Sequence, residues 1–193
     1  MTILLAENLI KNTKAPVSLY GDLLGDRVNT VANTLWGTIP WERRDAPRRE
    51  CFFSRLGHPY TYGTGVGERT YVPREAPSVF RELTELVENI CGNRFELCFA
   101  NGYESEREHL GWHADNSPEI DDNRPIAVMS FGAEREIWVK PNGGSFDDVE
   151  KILLPSGSLF VMAPGMQDTH LHRIPKHGAP CGWRVSLTWR GAS

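Results

Sequence analysis

After Gly92 the chain breaks into short apolar stretches divided by turn residues. Phe95 to Tyr103, Ile126 to Phe131, Glu136 to Lys140, Lys151 to Leu154, Ser158 to Met162 and Arg184 to Trp189 all have the length and pattern of strands. Between them stand Pro141-Asn142-Gly143-Gly144, Pro155-Ser156-Gly157 and Pro164-Gly165, which are turn signals. Leu154 to Leu159 reads as a hairpin. Helices do not alternate with these strands, and this excludes a doubly wound α/β sheet. The fold class is α+β, mainly β: a sandwich or barrel with helices on one side.

The helices belong to the first half. Leu19, Leu23, Leu24, Val28, Val31 and Leu35 have the spacing of an amphipathic helix over Ser18 to Trp36, which Gly37 and Pro40 end. A second helix follows Pro77, with Val79, Phe80, Leu83, Leu86, Val87 and Ile90 as its buried stripe and Gly92-Asn93 as its stop. Residues 39–77, rich in Arg, Gly, Pro and aromatics, read as short strands and long loops. A chain of 193 residues suits one domain. Residues 1–46 read as an N-terminal helix and arm of the same domain as 47–193.

Charge gives nucleic-acid binding no general support, because the formal net charge is -4. It is unevenly spread, however. Trp41 to Arg55 holds five arginines against three acidic residues, a pattern equally suited to a solvated loop and to a phosphate patch. Cys51, Cys91, Cys98 and Cys181 form no C-x-x-C pair and read as reduced thiols of a cytoplasmic protein. The N-terminal run is broken by Glu7 and has no basic flank, so it does not read as a signal peptide. No stretch approaches the ~20 apolar residues of a membrane span.

The chemistry centres on Trp112-His113-Ala114-Asp115. In an extended segment, residues two apart point to one side, so His113 and Asp115 can meet a single point. A third ligand is available downstream at His170 or His172, which share a face. Two histidines and one carboxylate form the facial triad of non-haem Fe(II) oxygenases, with positions left open. Zinc binds the same donor types. Arg184 and Arg190 point away from zinc hydrolysis, because they share one strand face with Ser186 and Thr188 and suit a dicarboxylic co-substrate. His58, His109 and His177 have no partners at ligand spacing and read as loop or surface residues.

Asn101-Gly102-Tyr103, His113-Ala114-Asp115, Ser130-Phe131-Gly132-Ala133, His172-Arg173-Ile174-Pro175 and the Arg184 to Arg190 strand together resemble the AlkB family of Fe(II)/2-oxoglutarate nucleic-acid demethylases. The resemblance runs from about Pro47 to Arg190. It implies a double-stranded β-helix, or jelly roll, with N-terminal helices packed on one sheet. It implies His113, Asp115 and His172 as iron ligands, the Arg-Ile-Pro after His172 selecting it over His170. Asn101, Tyr103, Arg184 and Arg190 are implied as 2-oxoglutarate contacts, with Ser186 where the family usually has Asn. Fe(II), 2-oxoglutarate and O₂ are the implied cofactors. On the substrate side it implies Phe53, Tyr60 and Tyr62 as base-stacking and phosphate-facing aromatics, Arg135 near the substrate, Trp41 as a stacking wedge, and Arg48 with Arg49 on phosphates; packing in the core is the alternative for the aromatics, and packing against the second helix for Trp41. Asn116 and Ser117 depart from the acidic residues that many relatives carry there.

The implied activity is oxidative demethylation of N-alkylated bases, such as 1-methyladenine and 3-methylcytosine. The methyl group is hydroxylated and lost as formaldehyde. Methylated DNA is the implied partner, with RNA as the alternative; no membrane and no protein partner are implied. Two rivals stand beside this reading: a dioxygenase of the same fold acting on a small molecule, lipid or protein side chain, and a non-catalytic jelly-roll binding module.

Overall fold

A computed structural model describes residues 7–44, 46–62 and 68–193. The chain runs through β1 (Val17–Tyr20), a 3-10 turn at Gly25–Arg27, α1 (Val28–Thr38), β2 (Glu42–Arg43), β3 (Arg49–Ser54), β4 (Tyr60–Tyr62) and β5 (Arg69–Tyr71). Next come α2 (Ser78–Cys91), β6 (Leu97–Tyr103), β7 (Leu110–His113), β8 (Ile126–Gly132) and β9 (Arg135–Pro141). The last third holds β10 (Glu150–Leu154), β11 (Ser158–Met162), α3 (Met166–Thr169), β12 (His170–Ile174) and β13 (Arg184–Arg190).

A seven-stranded sheet has the order β1-β11-β8-β13-β6-β3-β2, and a four-stranded sheet the order β10-β9-β12-β7. Among the described residues β4 and β5 pair only with each other. All these pairings are antiparallel. One core lies between the two large sheets, where Phe52, Phe99, Val128 and Phe160 meet Ile137, Val139, Ile152 and Leu154. A second core lies on the other face of the larger sheet, where Cys98, Met129, Leu187 and Trp189 meet Leu35 of α1 and Leu83 and Val87 of α2. This is the double-stranded β-helix with helices on one sheet. β6 and β13 are buried at every position because they are covered on both faces. Among the described residues no helix is long and apolar enough to cross a membrane.

α2 forms where its apolar stripe predicts it. Gly92 ends it in the left-handed conformation, φ 61°, that a residue without Cβ adopts at little cost. The first expected helix is different. Ser18 and Leu19 lie in β1, opposite Val161 and Phe160, and the α-helix starts only at Val28. Alternation buries Val17 and Leu19, while Gly25 and Asp22, both at positive φ, break the chain between strand and helix. The expected hairpin at Leu154 to Leu159 is also corrected. β10 pairs with β9, β11 pairs with β1 and β8, and the turn at Pro155-Ser156-Gly157 carries the chain from one sheet to the other. The Gly157 amide is held there by the Ser130 carbonyl at 2.7 Å.

Candidate metal centre and adjoining cavity

β7 and β12 lie side by side in the smaller sheet, and His113 and His172 are direct cross-strand partners. Their rings stand 4.2 Å apart, centroid to centroid. β7 ends at His113, so strand alternation does not place Asp115. It follows two residues on, in an irregular segment, and its backbone N–H donates to Gln167 Oε1 of α3 at 2.9 Å. Asp115 Oδ1 lies 3.7 Å from His113 Nε2, and Oδ2 lies 3.8 Å from His172 Nε2. One ligand atom from each of the three residues falls within 4.8 Å of the others. His170 stands outside this group, with its Nδ1 2.8 Å from Thr169 Oγ1.

The site is prepared for a cation. His113 Nδ1 lies 2.9 Å from the Gly111 carbonyl, which fixes the proton on that nitrogen and leaves the Nε2 lone pair facing inward. Burial lowers the pKa of both histidines, that of His172 from 6.5 to about 3, so both are neutral donors at pH 7. Burial alone would raise the Asp115 carboxyl. Arg190, donating to Oδ1 at 2.8 Å, and the two histidines together hold it well below the usual carboxylate range. Asp115 Oδ2 is buried and without a hydrogen bond among the described residues. Two imidazole nitrogens and a carboxylate with one orphaned oxygen fit a divalent metal with nitrogen and oxygen preferences.

These shifts predict how the metal-free protein responds to acid. A histidine whose folded pKa lies below its unfolded value binds more protons when unfolded, so stability rises with pH across the gap between the two. Stability should be complete above about pH 6.5 and fall as the pH drops toward 3. Urea titrations of chelator-treated protein at pH 7.5, 6 and 5 read this directly. A midpoint unchanged over that range would contradict the burial of His113 and His172 as neutral rings.

Beside the three residues lies a cavity of about 310 Å³, lined by Arg48, Tyr60, Asn101, Arg190, His113 and Asp115, with Phe99, Leu110, Arg69 and Tyr71 completing the wall. Inward positions of the larger sheet carry a buried polar row. Glu50, Asn101, Ser186, Ser130 and Ser158 are successive register partners across β3, β6, β13, β8 and β11. Arg184 extends this inner face, fully buried, with Nε donating to Ser130 Oγ at 2.8 Å. Its terminal nitrogens have no hydrogen bond among the described residues, and its guanidinium sits 5.2 Å from the Tyr103 ring centre. Burial pushes the Arg184 pKa down to about 10, and a guanidinium charged in such a place calls for an anion. Arg184, Tyr103 and Ser186 do not line the cavity itself.

The expected substrate-side residues divide. Tyr60 lines the cavity, and its hydroxyl donates to Ser117 Oγ at 2.9 Å, tying it to the segment after Asp115. Arg48 lines it too. Phe53 is corrected to a core residue. It faces the helices and packs on Phe80 at 4.9 Å, while its neighbour Phe52 faces inward. Arg135 is corrected as well. It is buried, and its guanidinium donates to the carbonyls of Ser105, Glu108 and Pro175, clamping those loops. Trp41 is half-buried against α1, its indole N–H donating to the Trp36 carbonyl at 3.0 Å. The backbone of Tyr62 ends β4, and its side chain lies outside the described residues. Arg49 and Arg43 are paired with Glu104, Arg44 with Glu42 and Arg55 with Glu88. The local excess of arginine is thus largely matched by glutamates. Glu50, Tyr71, Ser130 and Gln167 were not among the expected site residues; alternation along β3 from Phe52 could have found Glu50.

The sequence model described as the 2OG-Fe(II) oxygenase superfamily matches residues 27–190. The chain is 32% identical over 176 residues to the human protein named alpha-ketoglutarate-dependent dioxygenase alkB homolog 3, covering 83% of this chain and 60% of that one. It is 25% identical over 182 residues to the Arabidopsis thaliana protein named DNA oxidative demethylase ALKBH2, covering 79% and 58%. It therefore spans about three fifths of the length of these curated relatives. Among solved structures, that of OsALKBH1 superposes with a TM-score of 0.64 at 17% identity, covering 94% of this chain and 99% of that one; the likeness is one of fold.

Proposed function

This chain belongs to the 2OG-Fe(II) oxygenase superfamily, in its AlkB family, and from that we propose that it oxidatively demethylates N-alkylated bases in nucleic acid. The observation that carries the reading is the adjacency of His113, Asp115 and His172 to a cavity walled by arginine, amide and aromatic side chains. The three residues would hold Fe(II), and Arg190, Asn101, Arg184, Tyr103 and Ser186 would receive 2-oxoglutarate. Bound there, iron would activate O₂, the oxidant: one oxygen atom would convert 2-oxoglutarate to succinate and CO₂, and the other would hydroxylate the N-methyl group, whose carbon then leaves as formaldehyde.

The chain's own residues provide position and shielding. Arg190 neutralises Asp115 within the buried site and fixes its orientation. Tyr60, anchored through Ser117, offers an aromatic wall for a base taken out of its stack, a contact worth ~1–3 kcal/mol. Phe99 and Leu110 add apolar surface to the wall. Four free thiols fit a cytoplasmic setting.

The test is stoichiometric. Purified protein with Fe(II), ascorbate and 2-oxoglutarate should release one formaldehyde for each N-methyl base converted in a methylated oligonucleotide. DNA and RNA, each single- and double-stranded, are compared side by side. Succinate formation with no base converted on any of these would remove the nucleic-acid reading and leave a dioxygenase of another substrate.

A further inference from the structure

We propose that Glu50 and Arg48 are positioning residues that orient the Asn101 amide so that its N–H groups face the cavity and receive a carboxylate of the co-substrate. This rests on the 2-oxoglutarate reading above. Arginine has donors and no acceptor. Arg48 Nε donates to Asn101 Oδ1 at 2.7 Å. The amide oxygen must therefore face Arg48, because the flipped amide would set N–H against N–H. The –NH₂ is left on the other side of an amide that lines the cavity.

Arg48 is itself held. Its NH2 lies 2.7 Å from Glu50 Oε1. Glu50 is 1% exposed and faces Asn101 across the β3–β6 ladder. Its other oxygen accepts from the Tyr71 hydroxyl at 3.0 Å, with Arg69 at 3.8 Å. A buried carboxylate next to a pocket for a dianion is electrostatically unfavourable taken alone, and burying it costs desolvation. Its place is explained if it draws the Arg48 guanidinium toward β3. Arg48 then serves the Asn101 oxygen, and a neutral amide meets the co-substrate. Tyr71, on the strand paired with β4, makes the outer end of this chain of contacts.

A direct role for Arg48 makes the opposite prediction. If Arg48 bound the co-substrate carboxylate itself, Glu50 would compete with that anion, and removing the Glu50 charge would strengthen binding.

The experiment is calorimetric titration of 2-oxoglutarate into the full chain loaded with Mn(II). It uses the parent protein, Glu50→Gln, Arg48→Met, Asn101→Ala and the double variant Glu50→Gln/Asn101→Ala. Each single variant should weaken 2-oxoglutarate about tenfold, the size of one hydrogen bond to a charged group. Mn(II) affinity should stay unchanged. The double variant should bind no more weakly than Asn101→Ala alone, since the effect passes through that amide. A purely structural role would not produce that silence. Tighter 2-oxoglutarate binding by Glu50→Gln, or an undiminished Glu50→Gln effect without the Asn101 amide, overturns the proposal. If Glu50→Gln fails to fold, Tyr71→Phe replaces it, with a smaller loss of affinity that must likewise vanish in the Asn101→Ala background. A parent protein that binds 2-oxoglutarate but converts no methylated base leaves this inference standing and sinks the nucleic-acid reading; one that binds no 2-oxoglutarate overturns both.

Discussion

Replacing Asp115 by asparagine is expected to abolish turnover and also to unfold the metal-free protein more readily. The two losses have different causes. Without the carboxylate the metal loses its anionic ligand, and catalysis that depends on several kcal/mol of metal assistance should fall about a thousandfold or more. The stability loss comes from Arg190. Its guanidinium is buried, and its NH2 rests 2.8 Å from Asp115 Oδ1. Removing the charge leaves a buried cation with no counter-charge at that contact, a change that costs ~3–5 kcal/mol. His172→Ala should lose activity to the same degree yet cost the metal-free protein less, because a neutral ring leaves no charge behind. Urea melts of both variants without metal, beside formaldehyde release with it, separate the two effects. A metal-free Asp115→Asn protein as stable as the parent would show that Arg190 does not depend on this carboxylate.

Arg184→Met should show the opposite pairing of effects. Two terminal nitrogens of a fully buried guanidinium make no hydrogen bond among the described residues, so the side chain is a burden on the metal-free fold. Methionine fills similar space without charge, and the Ser130 contact is the main thing lost. Stability should hold or rise by ~1–3 kcal/mol. Binding of 2-oxoglutarate should weaken by roughly a hundredfold or more, since a paired arginine fork supplies two charge-assisted bonds. Thermal melts and calorimetric titration of the same preparation read both. A destabilised variant with normal 2-oxoglutarate affinity would make Arg184 a structural residue and remove it from the site.

What the sequence shows plainly is what local pattern determines. β8 and β11 are covered on both faces and read as nearly unbroken apolar runs, whereas β13 alternates Val185, Leu187 and Trp189 with a buried polar face. His113 and Asp115 stand out by spacing, although Asp115 lies two residues beyond the end of β7, with its amide held by Gln167. What stays hidden depends on register and on partners far along the chain. Leu19 has helical spacing to Leu23, yet Phe160 captures it in a strand. Pro155-Ser156-Gly157 makes a turn whichever sheet receives the next strand. Phe52 and Phe53 are equivalent until alternation is anchored, and the anchor is the pairing of Phe52 with Phe99. Glu50 reads as one more surface charge until Asn101 lies opposite it. The role of Arg135 is set by three carbonyls that only the folded loops bring together.

The strand order of the smaller sheet has one more consequence. β7 is its outermost strand, four residues long, with a register shift between its two points of pairing to β12. One of those points is the histidine pair. A cation shared by His113 and His172 is therefore also a rivet through the margin of the sheet, joining segments far apart in sequence. Loading the metal and seating the last strand become a single equilibrium, and a chelator that strips the centre would let that margin fray before the rest of the barrel yields.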